Sequence, residues 1–369
     1  MDRRRDVPPM TNLGRPILIV AGGTGGHIYP ALAVADHLKN YQVSTVWLGS
    51  KNGLETRIVP EEGIRLYRIA VSGLRGSRFW HWLLAPAALG FALIQAVIAV
   101  LRIQPALVLG MGGFASGPGA LAAWICRKPL VIHEQNAVPG LTNSLLSRIA
   151  TKVLQGFPGA FPTERAAITV GNPIRESIVS IAPPERRKHE FDGFRVLVLG
   201  GSQGAQTLNL CVPRALGLVC GANFEIWHQT GTGNEGATRQ AYEPSTALIR
   251  VSEFIGDMAA AYLWADIVIC RAGAMTIGEL ATVGVASILV PFPLAVDDHQ
   301  TANARYLVDS NAAVMVAEGP EFERRLATAL QRFIDGQLDL LSFAKRARAL
   351  ATPAAAANVV EQCMELLDA

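Results

Sequence analysis

Two glycine-rich turns constrain this chain more than any other feature. Gly22-Gly23-Thr24-Gly25-Gly26-His27 follows the apolar run 17–21, and Gly200-Gly201-Ser202-Gln203-Gly204-Ala205 follows the run 196–199. Each turn leads into a segment that reads as helix. A strand–glycine turn–helix unit aims backbone N–H groups and the positive end of a helix at one point, which suits a phosphate. Neither turn is the dinucleotide fingerprint G-x-G-x-x-G, and neither carries the Lys-Ser/Thr of a P-loop. Occurring twice in 369 residues, the unit predicts two nucleotide-fold halves facing one cleft.

Apolar runs alternate with helix-like segments along the whole chain, the pattern of parallel sheets covered by helices on both faces. The first half has runs at 17–21, 43–48, 65–71, 106–109, 130–132, 152–154 and 168–170. The second repeats the pattern at 195–199, 225–228, 248–251, 267–269, 287–290 and 313–316. Between them lie Gly171-Asn172-Pro173 and Ala182-Pro183-Pro184, followed by a charge-rich run to Asp192. The expected organisation is a flexible tail (1–15), an N-terminal Rossmann-like domain on the acceptor and membrane side (16–175) and a linker region (176–192). A C-terminal Rossmann-like domain (193–352) and a C-terminal helix (353–369) complete it.

Half of the residues are hydrophobic and 17% are charged, the composition of a core-forming chain. The net charge of +3 is too small to argue for nucleic acid. Its distribution says more. Residues 63–133 contain no Asp or Glu, while Arg65, Arg68, Arg75, Arg78, Arg102, Arg127 and Lys128 are basic. Such a surface favours an anionic membrane face or an anionic ligand, although an Ala- and Leu-rich stretch has few acids in any case. The five cysteines are odd in number and lack C-x-x-C spacing. They fit a reduced compartment without a disulfide framework or a zinc site. No secretory apolar region precedes the first turn, so a cytosolic protein is expected.

Residues 83–101 carry no charge over 19 positions, long enough for a membrane span. A crossing there would put the two glycine turns on opposite sides of the membrane. The expectation is therefore a partly buried helix whose start, Phe79-Trp80-His81-Trp82 flanked by Arg75 and Arg78, rests on a bilayer. An ordinary core role for these aromatics remains open.

Ligands of open α/β sheets bind beyond the carboxyl ends of strands, which directs attention to the turns. His27 lies at the start of a helix, where a neutral imidazole able to take a proton from an attacking hydroxyl is expected; a role that only lines the turn is the alternative. Gly110-Met111-Gly112-Gly113-Phe114-Ala115-Ser116-Gly117-Pro118 forms a third glycine loop. His133-Glu134-Gln135-Asn136 clusters polar side chains just after a strand, where ligand contact is favoured over packing; Glu134 alternatively serves as a buried structural partner. In the second half, Arg271-Ala272-Gly273-Ala274-Met275-Thr276-Ile277-Gly278-Glu279 also follows a strand. There the helix start would receive a diphosphate and Glu279 would bond ribose hydroxyls. Thr276 to Glu279 also matches a structural capping box. Asp297-Asp298 lacks the Asp-x-Asp spacing of metal-dependent sugar transferases, so no metal and no cofactor are implied.

Eight motifs in order (22–27, 110–118, 133–143, 171–175, 200–205, 253–262, 271–279 and 297–304) closely resemble the MurG family of bacterial transferases, from about Ile17 onward. The resemblance implies two Rossmann-like domains with parallel sheets facing a central cleft, the glycosyltransferase B architecture. It implies transfer of N-acetylglucosamine from UDP-N-acetylglucosamine to lipid I with inversion, at the cytoplasmic face of the bacterial inner membrane, by a peripheral protein working beside other cell-wall enzymes. By motif, Ser202, Ile255, Ala274, Met275, Thr276, Ile277, Gly278, Glu279 and Gln300 would hold the UDP-sugar. Thr24, Gly25, Gly26, Asn136 and Arg175 would complete the cleft. His27, or less favourably Glu134, would be the general base. Gly256, Gly278 and Phe114 depart from residues frequent in the family. A transferase to another lipid, such as diacylglycerol, an epimerase-type isomerase of UDP-N-acetylglucosamine, and a non-catalytic sugar-nucleotide sensor remain alternatives.

Overall fold

The structure is a computed structural model that describes residues 14–71, 79–187, 191–201, 204–243 and 247–368. The chain divides into two compact units: residues 1–175 with 354–369, and residues 176–353.

The N-terminal unit runs β1 (Ile17–Val20), α1 (Gly25–Lys39), β2 (Thr45–Ser50), α2 (Glu55–Glu61), β3 (Arg65–Ile69), α3 (Phe79–Ile103), β4 (Leu107–Gly110), α4 (Ser116–Ile125), β5 (Leu130–Glu134), α5 (Leu141–Leu146), β6 (Lys152–Gln155) and β7 (Ile168–Thr169). Its strands form one sheet in the order β3-β2-β1-β4-β5-β6-β7, and every pairing is parallel. The reversal of strand order beside β1 puts the turns after β1 and β4 next to each other, where open α/β sheets bind ligands. β1 and β4 are buried along their full length, which is why they read as unbroken apolar runs rather than alternating ones; β5 is equally buried but ends on His133 and Glu134.

The C-terminal unit begins with α6 (Glu176–Val179). It continues through β8 (Phe194–Leu199), α7 (Gln206–Gly217), β9 (Phe224–Gln229), α8 (Glu235–Ala241), β10 (Leu248–Ser252), α9 (Met258–Trp264) and β11 (Ile267–Cys270). Next come α10 (Ala274–Val283), β12 (Ala286–Leu289), α11 (His299–Val308), β13 (Val314–Met315), α12 (Phe322–Ile334) and α13 (Leu340–Ala349). Its parallel sheet has the order β10-β9-β8-β11-β12-β13. The last helix, α14 (Ala355–Asp368), packs against α1 in the N-terminal unit. Val359, Val360, Cys363 and Met364 of α14 share a core with Ile28, Ala31 and Ala35 of α1.

All thirteen apolar runs correspond to strands, with ends shifted by up to two residues. One shift matters for function: His133 and Glu134 are the last residues of β5, not the first of the turn after it.

Helix α3 is the one described helix long and apolar enough to cross a membrane, over Pro86–Ile103. It connects β3 to β4 in one parallel sheet, packs on α4 and buries Ala96, Ala99 and Val100 in the core beneath the sheet. Its outer face leaves Leu89, Phe91, Ile94, Ile98 and Leu101 exposed. Arg75 and Arg78 lie outside the described residues, as do the side chains of Phe79, Trp80 and Trp82.

Candidate active site

In the N-terminal unit the glycine turn after β1 ends on Thr24, the N-cap of α1 (φ −109°, ψ 161°). The Thr24 side chain makes no cap hydrogen bond and is exposed, so its hydroxyl and the first-turn N–H groups at Gly25 and Gly26 face outward, as an anion site requires. His27 follows in the same first turn. Its Nδ1 lies 3.2 Å from Gln135 Oε1, and Gln135 Nε2 donates to the Met111 carbonyl at 2.9 Å. The turns after β1 and β4 meet backbone to backbone. Gly113 has φ +85°, and a Cβ there would sit 1.9 Å from the Gly22 carbonyl oxygen, so only glycine permits this approach.

Glu134 is almost fully buried, and both of its carboxylate oxygens are engaged. Oε1 accepts from the Asn136 N–H at 2.9 Å and Asn136 Nδ2 at 3.0 Å. Oε2 accepts from the Gly140 N–H at 3.2 Å and Asn143 Nδ2 at 2.9 Å. This arrangement uses Glu134 to shape the loop carrying Asn136. His133 donates through Nε2 to the Gly171 carbonyl at 2.9 Å, and burial pushes its pKa down to about 4. It is a neutral core residue that ties β5 to the segment before Arg175. The Arg175 guanidinium stands 4.8 Å from the centre of the Tyr29 ring on α1, a cation–π contact.

In the C-terminal unit α10 starts at Ala274 with Gly273 as its N-cap (φ −66°, ψ 144°). Thr276 is therefore inside the first turn, and the capping-box reading of Thr276 and Glu279 does not hold. Glu279, one turn further on, accepts a hydrogen bond from the Tyr262 hydroxyl at 2.9 Å. Ala274, Met275 and Thr276 supply the first-turn N–H groups that an α-helix leaves unpaired internally. Ile277 is different: its side chain is buried in the core and its N–H donates to the Gly273 carbonyl at 2.9 Å, which leaves it no surface for a ligand. Ile255 is also buried. Gln300 on α11 accepts the Phe292 N–H through Oε1 at 2.9 Å, which fixes the turn after β12 and turns the amide nitrogen the other way. Arg271 reinforces that turn, with an ion pair to Glu318 at 2.5 Å and a donated bond to the Val290 carbonyl at 3.2 Å. Ser202 lies outside the described residues.

Comparison with known proteins accounts for both units. The glycosyltransferase family 28 N-terminal domain matches residues 17–155, and the family's C-terminal domain matches residues 195–360. The chain belongs to glycosyltransferase family 28. Among curated family 28 relatives, the UDP-N-acetylglucosamine–N-acetylmuramyl-(pentapeptide) pyrophosphoryl-undecaprenol N-acetylglucosamine transferase of Nitrosococcus oceani is 49% identical over 95% of this chain and 98% of its own length. The enzyme of the same name from Coxiella burnetii is 46% identical over 94% and 97%. The crystal structure of Acinetobacter baumannii MurG matches with a TM-score of 0.78 and 38% identity, over 95% of this chain and 99% of that one. The Streptomyces glycosyltransferase SsfS6, complexed with thymidine diphosphate, shares the fold alone at 18% identity and a TM-score of 0.64, over 95% and 99%. The glycosyltransferase B fold and membership in the MurG family follow.

Within this family 28 chain, the structure gathers Thr24, Gly25, Gly26 and His27 at one helix start, and Ala274 to Glu279 at another. Asn136 stands on the loop that Glu134 organises. Three residues support these groups. Sequence reasoning passed over Glu55 and gave Tyr262 no role, while Gln135 was expected among ligand contacts but is buried with its side chain bonded to His27 and Met111. Glu55, fully buried, accepts from the Gly23 N–H at 3.0 Å and from the Ser50 N–H and hydroxyl at 2.7 and 2.6 Å. Gly22, Gly49 and Gly53 leave the room its carboxylate occupies, because a Cβ at each would fall 2.0–2.6 Å from Glu55 atoms. Gln135 and Tyr262 are the other two. Gln135 accepts a hydrogen bond from the His27 ring, and Tyr262 donates one to Glu279.

Proposed function

We propose that this enzyme transfers N-acetylglucosamine from UDP-N-acetylglucosamine to the 4-hydroxyl of undecaprenyl-diphosphate-N-acetylmuramoyl-pentapeptide, giving lipid II and UDP for peptidoglycan synthesis. The observation that carries this reading is the near end-to-end identity of 49% with a transferase named for these substrates.

The reaction is a single displacement. The acceptor oxygen forms a bond to the anomeric carbon as the bond from that carbon to the UDP oxygen breaks, and the electron pair leaves with the diphosphate. The configuration inverts. His27 takes the proton released by the attacking hydroxyl, in keeping with its place on an outward-facing first turn and its fixed ring. On the donor side, the first turn of α10 receives the diphosphate, Glu279 receives ribose hydroxyls, and Gln300 offers its amide nitrogen to the sugar. Ser202 and Ile255 belong to the same donor set by motif, and Gly278 lets the ligand approach the helix. Thr24, Gly25, Gly26, Asn136 and Arg175 serve the acceptor half. A helix N-terminus stabilises charge on a leaving diphosphate, and removing one such group typically costs about 3 kcal/mol in activation free energy. The mechanism calls on no divalent metal.

The protein acts as a peripheral enzyme at the cytoplasmic face of the membrane. Leu89, Phe91, Ile94, Ile98 and Leu101 on α3 are exposed, as are Trp124 and Ile125 on α4 and Leu141 and Leu145 on α5, and α4 packs against both α3 and α5. Arg102, Arg127 and Arg148 are exposed on the same elements or beside them. Apolar side chains beside cations favour an anionic lipid surface, and Arg75, Arg78, Phe79, Trp80 and Trp82 extend this pattern in sequence. The test is incubation with radiolabelled UDP-N-acetylglucosamine and a lipid I analogue in the presence of EDTA. Label entering lipid only with that analogue is the expected result. Label transferred to diacylglycerol instead, or conversion of the sugar nucleotide to an epimer, overturns the reading.

A further inference from the structure

We propose that Gln135 is a positioning residue that fixes His27 as its Nδ1-protonated tautomer, leaving the lone pair on Nε2 to accept the proton. This rests on the reading of His27 as the general base and says which of its nitrogens does the work.

The argument starts from a group that can only accept. The Met111 carbonyl lies 2.9 Å from the Gln135 side-chain nitrogen, so the amide NH2 must point to it. The amide oxygen is then the atom 3.2 Å from His27 Nδ1. An amide oxygen also only accepts, so Nδ1 carries the hydrogen, and in a neutral imidazole Nε2 is left bare. Free histidine in water prefers the opposite tautomer. The protein therefore imposes the choice.

The relay has little freedom to reverse it. Gln135 is 2% exposed, and its backbone carbonyl accepts from Asn172 Nδ2 at 3.0 Å. The Met111 N–H donates to the Val20 carbonyl at 2.9 Å, which anchors the far end of the relay to β1. Flipping the amide would set its oxygen against the Met111 carbonyl, two acceptors with no hydrogen between them. The ring itself is confined. Gly112 has φ +93°, and a Cβ at this position would lie 2.5 Å from His27 Nδ1 and 2.7 Å from Cε1. Backbone thus flanks the imidazole on the side where Gln135 holds it, and Nε2 is the ring nitrogen left for substrate.

The test is a long-range proton–nitrogen correlation spectrum of the full chain labelled with nitrogen-15 at histidine, recorded near pH 8.5, above the ordinary imidazole range. The His27 signals are those lost in His27→Ala. The expected spectrum has pyrrole-like Nδ1 and pyridine-like Nε2. In Gln135→Met, which keeps the length of the side chain and removes the acceptor, the pattern averages or reverses. kcat then falls roughly ten- to hundredfold while KM for UDP-N-acetylglucosamine stays within about twofold. A pyridine-like Nδ1 in the unmodified protein overturns the proposal whatever the activity. So does a Gln135→Met protein that folds, keeps the wild-type tautomer and turns over normally. Undiminished turnover by His27→Ala would instead remove the base assignment and leave the tautomer measurement standing, so the two failures are told apart.

Discussion

Replacing Glu55 should weaken the N-terminal unit without touching donor binding. Its Oε1 accepts two hydrogen bonds from Ser50 and its Oε2 accepts one from the Gly23 N–H. Glu55→Gln keeps an oxygen for Ser50 but turns an amide NH2 toward the Gly23 N–H, donor against donor. One charge-assisted bond is lost, about 1.5–3 kcal/mol. Glu55→Ala removes all three bonds, leaves buried N–H groups unpaired and opens a cavity walled by glycines that cannot fill it. That sum is about 3–5 kcal/mol. For a unit of this size each kcal/mol lowers the midpoint of thermal unfolding by about 2–4 °C. Glu55→Gln should thus lower it by roughly 3–12 °C, and Glu55→Ala by more. Calorimetry resolves the N-terminal transition, and titration with UDP tests the C-terminal unit, whose affinity should be unchanged. A Glu55→Gln protein that melts within about 0.5 kcal/mol of wild type would refute the view that this carboxylate braces the glycine turn.

Three further outcomes follow from the geometry. Burial pushes His133 down to about 4 and His228 to about 3, while unfolded histidine titrates near 6.5. Below about pH 6.5 the unfolded chain binds protons that the folded chain refuses, so stability is complete above that pH and falls as pH drops, by about 1.4 kcal/mol per unit per histidine; urea unfolding at pH 5 and pH 7 checks the sign, and equal stability would contradict it. Tyr262→Phe deletes the bond that orients Glu279 and should weaken UDP-sugar affinity about five- to tenfold; calorimetric titration showing an unaltered Kd would exclude the role. The pair Ile94→Gln and Ile98→Gln, both on the exposed face of α3, should reduce binding to anionic vesicles at least about tenfold, with turnover on a detergent-dispersed lipid I analogue preserved. Unchanged co-sedimentation with vesicles would count against that face.

The fold was legible because its central strands are buried from both sides. A run such as Leu107–Gly110 or Ile267–Cys270 has no polar alternation to confuse it, and a glycine turn marks its carboxyl end. The candidate site's place was legible for the same reason, since open α/β sheets bind ligands at the turns after such strands. What stayed hidden depends on partners far apart in sequence. Glu55 sits in Gly53-Leu54-Glu55-Thr56 with no local signal, and its donor at Gly23 is 32 positions away. Gln135 looked like one polar residue among four, although its meaning comes from Met111, 24 positions back, and from His27, 108 back. The pattern at Thr276 misled in the other direction: a capping box needs Thr at the N-cap, and Gly273 already ends that segment by its extended backbone.

The return of α14 to the N-terminal unit has a consequence for biogenesis. The segment that completes this unit's core is encoded after the whole of the other unit, so roughly 180 residues intervene between Arg175 and α14. At a translation rate of about 5–20 residues per second, the α1 side of that core waits roughly 10–40 s for its cover. Over that interval the nascent chain presents Ile28, Ala31 and Ala35 without the helix that buries them. Surfaces of this kind are what chaperones hold, and stalling the ribosome before Ala355 should lengthen that hold while stalling with α14 clear of the exit tunnel should end it.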